Sequence, residues 1–193
     1  MTFNNNLQFF IIYVIILFKY LNTEEKTGRR FYKIMNKNKI KNKIFVAGIA
    51  GGSASGKSTL CEKLEGELRE YKVAVIHMDS YFKPERERPR PKTAAFVTGR
   101  EYADDNHPES LDLRGLERDM IDIVSKNENG HDILIAEGLL TLWDDTICNL
   151  LDLKIFVDCK PDERIVRRLR RNMQWGLSFD EIGRLFGYGA LQA

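Results

Sequence analysis

Gly51-Gly52-Ser53-Ala54-Ser55-Gly56-Lys57-Ser58 matches the spacing G-x-x-x-x-G-K-[ST] in full, and that spacing suits a phosphate. Glycine has no Cβ, so the backbone can curl until successive N–H groups converge on phosphate oxygens. Lys57 is long enough to reach the β- and γ-phosphates of a nucleotide, and the Ser58 hydroxyl can ligate Mg²⁺. Gly51, Gly52, Ser53, Ala54, Ser55, Gly56, Lys57, Ser58 and Thr59 are therefore the expected ATP-binding stretch. Two later carboxylates fit the same chemistry. Asp79 ends an apolar run and can take a proton from a hydroxyl that attacks the γ-phosphate, or hold Mg²⁺ through water. Glu137 follows four apolar residues and is expected on the metal side, next to Ser58. Arg164, Arg167, Arg168 and Arg171 recur at i, i+3, i+4 and i+7, which places four guanidiniums on one helical stripe. Like charges so arranged call for an opposing anion, and a triphosphate supplies one. Arg167 and Arg171 are expected to act with Lys57 and Asp79 in catalysis, Arg164 and Arg168 to bind ATP. A solvated basic face or an RNA-contacting patch is the alternative for this stripe.

The elements that must hold these residues can be read around them. Ile44–Ala50 is an apolar run suited to a buried parallel strand. Leu60, Leu64 and Leu68 after the loop fall at helical spacing. Val73–Met78 reads as a second strand ending at Asp79, Leu113–Val124 as an amphipathic helix stopped by Asn127-Glu128-Asn129-Gly130, and Ile133–Ala136 as a third strand. Leu153–Asp158 reads as a fourth strand, and Pro161 opens the arginine helix, with Ile165 and Leu169 expected to face inward. Strands separated by helices, with the phosphate loop after the first, predict an α/β fold: a P-loop NTPase with a doubly wound parallel sheet and helices on both faces. The long polar loop Lys83–Asn106, with Pro84, Pro89, Pro91 and basic residues including Arg86, Arg88 and Arg90, is expected to be a substrate-side lid.

The 193 residues suffice for one domain with a sizeable core. Residues 1–34 differ from the rest. They hold an apolar run from Leu7 to Phe18, shorter than the ~20 residues a bilayer needs, with no basic residue before it. We expect Met35 to be the true start, residues 1–34 to lie outside the fold, and 35–193 to form the kinase domain; a membrane anchor is the alternative. Residues 1–34 carry +3, which against the whole chain's +2 leaves −1 for the remainder, so net charge gives a nucleic-acid partner no support. Cys61, Cys148 and Cys159 lack C-x-x-C spacing and read as buried, reduced thiols of a cytoplasmic protein. No membrane partner is expected, and a homo-oligomer stays open.

Several ordered motifs resemble one family, the uridine kinase (uridine/cytidine kinase) group of P-loop small-molecule kinases. They are Gly48–Thr59, Asp79-Ser80-Tyr81-Phe82-Lys83, Asn106-His107-Pro108-Glu109-Ser110-Leu111-Asp112, Ile135–Leu140, Leu151–Asp158 and the Arg164–Arg171 helix. The resemblance covers roughly residues 43–183. It implies ATP and Mg²⁺ as cofactors, a small-molecule hydroxyl acceptor, Asp79 as base for the sugar 5′-hydroxyl, Glu137 as the metal-side carboxylate, and the arginine helix as part of a lid over ATP. It places Tyr81, Phe82, Asn106 and His107 on the substrate side. Asn106 stands where the family has Asp, and Tyr81-Phe82 inverts the family's Phe-Tyr. Gly130 leads directly into the third strand, where the family has a segment that helps form the nucleobase pocket. The chain ends at Gly187–Ala193, where the family continues. A kinase of another sugar, sugar phosphate or vitamin-like alcohol, and an ATP-binding remnant with little activity, are the alternatives.

Overall fold

The computed structural model describes residues 44–90 and 103–177. Residues 1–34 and Met35, the middle of the expected lid and the stretch Gly187–Ala193 lie outside the described residues. The elements run β1 (Phe45–Ala50), α1 (Lys57–Glu67), β2 (Val73–His77), α2 (Leu113–Lys126), β3 (Ile133–Glu137), α3 (Asp145–Leu150), β4 (Leu153–Phe156) and α4 (Pro161–Gln174), with short 3₁₀ turns at Met78–Tyr81, Glu85–Glu87 and Pro108–Ser110.

The strands form a parallel sheet in the order β2-β3-β1-β4. All six β1 residues are buried, because both faces of the sheet are covered and side chains alternate between them. Phe45, Ala47 and Ile49, with Ile133 and Ile135 of β3, pack against Leu60, Cys61 and Leu64 of α1. Ile44, Val46, Leu134 and Ala136 pack on the other side against Leu116 and Met120 of α2 and Ile147 of α3. Helices thus sit on both faces, and the doubly wound α/β architecture stands as expected. The chain leaves β1 through α1 to β2 on one side of the sheet, and after β3 it crosses past β1 to β4 on the other. In such a sheet the ligand crevice lies at the carboxyl ends of the strands where the direction reverses.

Local chemistry sets the boundaries. Asp112 caps α2, its Oδ1 accepting from Gly115 N–H at 2.9 Å, and Asn127 ends that helix in the left-handed region, φ 40°, as an Asn C-cap can. Pro161 occupies the first turn of α4, where its missing N–H costs nothing. Sequence periodicity missed α3, a six-residue helix; its signal was Asp144, which caps it by accepting from Thr146 N–H at 2.8 Å and Ile147 N–H at 3.2 Å. Two expectations need correcting. Cys148 and Cys159 are half-buried, and Cys61 alone of the three is buried. Ile165 is 42% exposed rather than facing inward. Among the described residues, no helix is long and apolar enough to cross a membrane.

Candidate phosphoryl-transfer site

The phosphate loop joins β1 to α1. Gly51 has φ 151° and Gly56 φ 106°, angles that side-chain-bearing residues rarely adopt. Ala54 adopts φ 61°, a left-handed conformation that costs an L-residue roughly 1–2 kcal/mol, so the loop holds strain where it curls. A Cβ at Gly52 would fall on Arg164 Nη1 and lie 2.7 Å from its Cζ, so the missing side chain is what lets the guanidinium sit there. The arginine helix therefore rests directly on the loop. Arg167 strengthens that contact, donating from one terminal nitrogen to the Ser55 carbonyl at 3.3 Å and from the other to Glu163 at 3.3 Å.

Lys57 begins α1, and its ammonium donates to the Gly52 carbonyl at 3.2 Å. Burial lowers its pKa; Glu137 and then Asp79 oppose that shift, while Arg171 and Arg164 add to it. One lysine thus feels two carboxylates and two guanidiniums that arrive from β3, the turn after β2, and α4. Glu137 ends β3 and is 5% exposed. Its Oε1 accepts from His77 Nδ1 at 2.8 Å and faces the Ser58 hydroxyl at a long 3.4 Å. Asp79 is exposed in the first turn of the Met78–Tyr81 helix. Gly138 follows Glu137 closely enough to Met78 that a Cβ would stand 2.9 Å from its Sδ, which keeps the β2 and β3 ends together. Burial and Arg171 lower the Arg168 pKa, against Asp105. Arg171 lies over the Trp175 ring, 4.9 Å from its centre, a cation–π contact.

The site fits a nucleoside triphosphate. Among the described residues, His131 Nδ1 in the α2–β3 connection is buried with no hydrogen-bond partner, and so are three atoms at this site, Ser55 Oγ, Arg164 Nε and Arg171 Nε; orphaned buried donors are costly unless a ligand meets them. All three belong to the loop or to the helix resting on it. The donor set also fits Mg²⁺. No group of three or more His, Cys, Asp or Glu side chains is placed to hold a metal among the described residues. A cation beside Ser58 and Glu137 would complete its shell with phosphate oxygens and water, the usual habit of Mg²⁺.

The residues expected on the substrate side are more engaged with the protein. Tyr81 donates to Asp119 on α2 at 2.6 Å, and burial together with this bond pushes its pKa up to about 12. Phe82 bridges to Leu111 and carries the Arg88 guanidinium 4.7 Å from its ring centre. His107 Nδ1 accepts from Glu109 N–H at 3.2 Å, capping the Pro108–Ser110 turn. Asn106 is exposed, and its N–H donates to Asp104 at 2.9 Å. Sequence reasoning singled out neither His77 nor Asp105, and named Arg88 only among the basic residues of the expected lid. Arg88 donates to the Lys83 carbonyl and to Asp105, both at 2.7 Å, and Asp104 N–H reaches the Pro89 carbonyl at 2.8 Å. These bonds close the base of the Lys83–Asn106 loop.

The phosphoribulokinase / uridine kinase family model matches residues 116–184. The uridine kinase of Lactobacillus helveticus is 31% identical over 162 residues, 72% of this chain and 74% of its own length. That of Clostridium botulinum (strain Kyoto / Type A2) is 35% identical over 149 residues, 70% of this chain and 72% of its own. A solved structure from Bacillus stearothermophilus, described as a possible uridine kinase, superposes with a TM-score of 0.52 at 19% identity, over 88% of this chain and 91% of that one; this likeness supports the P-loop kinase fold. With the phosphate loop, the doubly wound sheet and relatives covered over more than two thirds of their length, the chain belongs to the phosphoribulokinase / uridine kinase family and is a small-molecule kinase, a phosphotransferase.

Proposed function

We propose that the protein transfers the γ-phosphoryl group of ATP to the 5′-hydroxyl of uridine or cytidine, giving the nucleoside 5′-monophosphate and ADP. The observation that carries this reading is the phosphate loop with Lys57 bonded to its Gly52 carbonyl, Glu137 facing Ser58, and Arg164 and Arg167 resting on the loop, with Asp79 and Arg171 in electrostatic reach of Lys57. The 31–35% identity to uridine kinases supports the acceptor. In the transfer, the acceptor oxygen bonds to γ-phosphorus, the bond from that phosphorus to the β–γ bridging oxygen breaks, and the hydroxyl proton passes to Asp79. Lys57, Arg167 and Arg171 offset charge on the transferring group, while the loop amides, Arg164 and Arg168 bind the nucleotide. Ser58 and Glu137 would hold Mg²⁺, with Asp79 as a further carboxylate on its side, and the cation would supply charge neutralisation. Phe82, Asn106 and His107 border the acceptor, and Tyr81 helps shape that side from its bond to Asp119. Residues 35–193 form the kinase domain.

A second reading, transfer to a non-nucleoside sugar, sugar phosphate or vitamin-like alcohol, draws on the short connection from α2 to β3. Asn127 closes it on itself, accepting from His131 N–H at 2.7 Å and donating to the His131 carbonyl at 3.1 Å. The discriminating experiment is ADP release with Mg-ATP across nucleosides, pentoses, pentose phosphates and pantothenate-like alcohols. Stimulation by uridine or cytidine above every other acceptor supports the first reading, and a non-nucleoside preference replaces it with the second.

A further inference from the structure

His77 and Glu137 stand opposite each other in the parallel register of β2 and β3. Paired residues project to the same face of a sheet. Here it is the α1 face, since Val73 and Val75 of β2 and Ile133 and Ile135 of β3 pack with α1. The first turn of α1 carries Lys57 and Ser58. His77 Nδ1 lies 2.8 Å from Glu137 Oε1. A carboxylate only accepts, so Nδ1 carries the hydrogen and donates. The Ser58 hydroxyl faces the same oxygen, and neither donor engages Oε2. The imidazole keeps 54% of its side-chain surface exposed, against 6% for Glu137. A buried, flexible glutamate with an attractive ammonium nearby needs an anchor to stay apart from it. Lys57 bonds instead to the Gly52 carbonyl, while Glu137 bonds to His77.

We infer that His77 is a positioning residue for the metal-side carboxylate: its Nδ1–H holds Glu137 through Oε1 and leaves Oε2 to the cation or its waters. The inference rests on the reading of Glu137 as a metal-side group. Partners of this kind behind a ligand typically change metal affinity by about 10–100-fold when lost. Nothing in the spacing of the sequence marks His77, because the role arises from strand register.

The test titrates Mn²⁺, followed by its paramagnetic resonance signal, into the full chain saturated with a non-hydrolysable ATP analogue. Wild type, His77→Ala, His77→Asn and Glu137→Gln are compared, and nucleotide affinity is measured separately in EDTA. Asn places an amide N–H near the position of Nδ1. The expected result is Mn²⁺ affinity about 10–100-fold weaker in His77→Ala, recovery of most of that loss in His77→Asn, and unchanged nucleotide affinity in EDTA for both. If Glu137→Gln weakens Mn²⁺ binding and His77→Ala does not, the positioning role is overturned while the metal-side reading of Glu137 stands. If neither weakens it, that reading fails as well. A His77→Ala loss that Asn does not recover, or one matched by lost affinity in EDTA, shows a packing effect and overturns the inference.

Discussion

Gly52 and Arg164 offer a test of how the arginine helix serves the phosphate loop. A methyl group at residue 52 would occupy the place of Arg164 Nη1 and stand 2.7 Å from Cζ. Ordinary carbon–nitrogen contact lies near 3.5 Å, so the guanidinium must retreat. The end of an arginine moves at little cost, and we expect Gly52→Ala to change stability by less than about 1 kcal/mol. Its cost falls on ATP. A hydrogen bond to a charged partner contributes about 1.5–3 kcal/mol, which predicts a drop of roughly 10- to 150-fold in kcat/KM for ATP. Arg164→Ala should lose a similar factor. The double variant should be scarcely worse than either single one, because both remove the same contact. The assay is steady-state ADP release at saturating acceptor, with melting temperatures as a control. Additive losses in the double variant would refute the reasoning, since the methyl would then act on the nucleotide or the loop without passing through Arg164.

Other predictions rest on separate parts of the structure. Leu116 is 1% exposed between α2 and the sheet, and Leu116→Ala should cost about 2–5 kcal/mol in chemical denaturation; a loss below about 1 kcal/mol would show that its surroundings collapse into the space. Lys57→Ala should slow phosphoryl transfer far more than it weakens nucleotide binding, as measured by comparing kcat with the ATP dissociation constant; a loss confined to binding would remove Lys57 from the transition state. Stability should fall at alkaline pH. Burial pushes the Cys61 thiol from 9.0 to about 12, and burial with the Asp119 bond pushes Tyr81 from 10.0 to about 12. The folded state keeps protons that the unfolded chain has already released, so these contributions are complete below pH 9 and 10 respectively and are lost as pH rises toward 12. Melting temperature should decline above pH 9, with Tyr81→Phe flattening the part above pH 10; a flat profile would contradict both shifts.

The parts of the fold legible in the sequence are those where one physical signal dominates. β1 and β3 read as strands because burial on both faces makes them continuously apolar, and α2 reads as a helix because Leu116 and Met120 recur at helical spacing. The boundary at Asn127 was legible because that residue tolerates a left-handed backbone. The stripe from Arg164 to Arg171 was legible from spacing, but its landing place on Gly52 and Ser55 was not, since no local pattern encodes a contact between α4 and a loop so distant in the chain. His77 escaped for the same reason: a histidine ending a strand gains meaning only when register sets it opposite Glu137. Arg88 and Asp105 meet because the long loop returns to its own base. Tyr81 was read toward the substrate, yet its hydroxyl is committed to Asp119 on α2, a partner that sequence spacing does not reveal.

The most direct measurement is a single turnover of γ-labelled ATP with uridine, run with wild type and with Asp79→Asn alongside an equilibrium ATP-binding assay. The expected result is label on the uridine 5′-oxygen for wild type, and for Asp79→Asn an unchanged ATP affinity with transfer slower by about 10²–10⁴-fold, the usual worth of a positioned base. Transfer by Asp79→Asn at the wild-type rate would contradict Asp79 as the base, and tight ATP binding by wild type with no label on uridine would contradict the nucleoside as the acceptor.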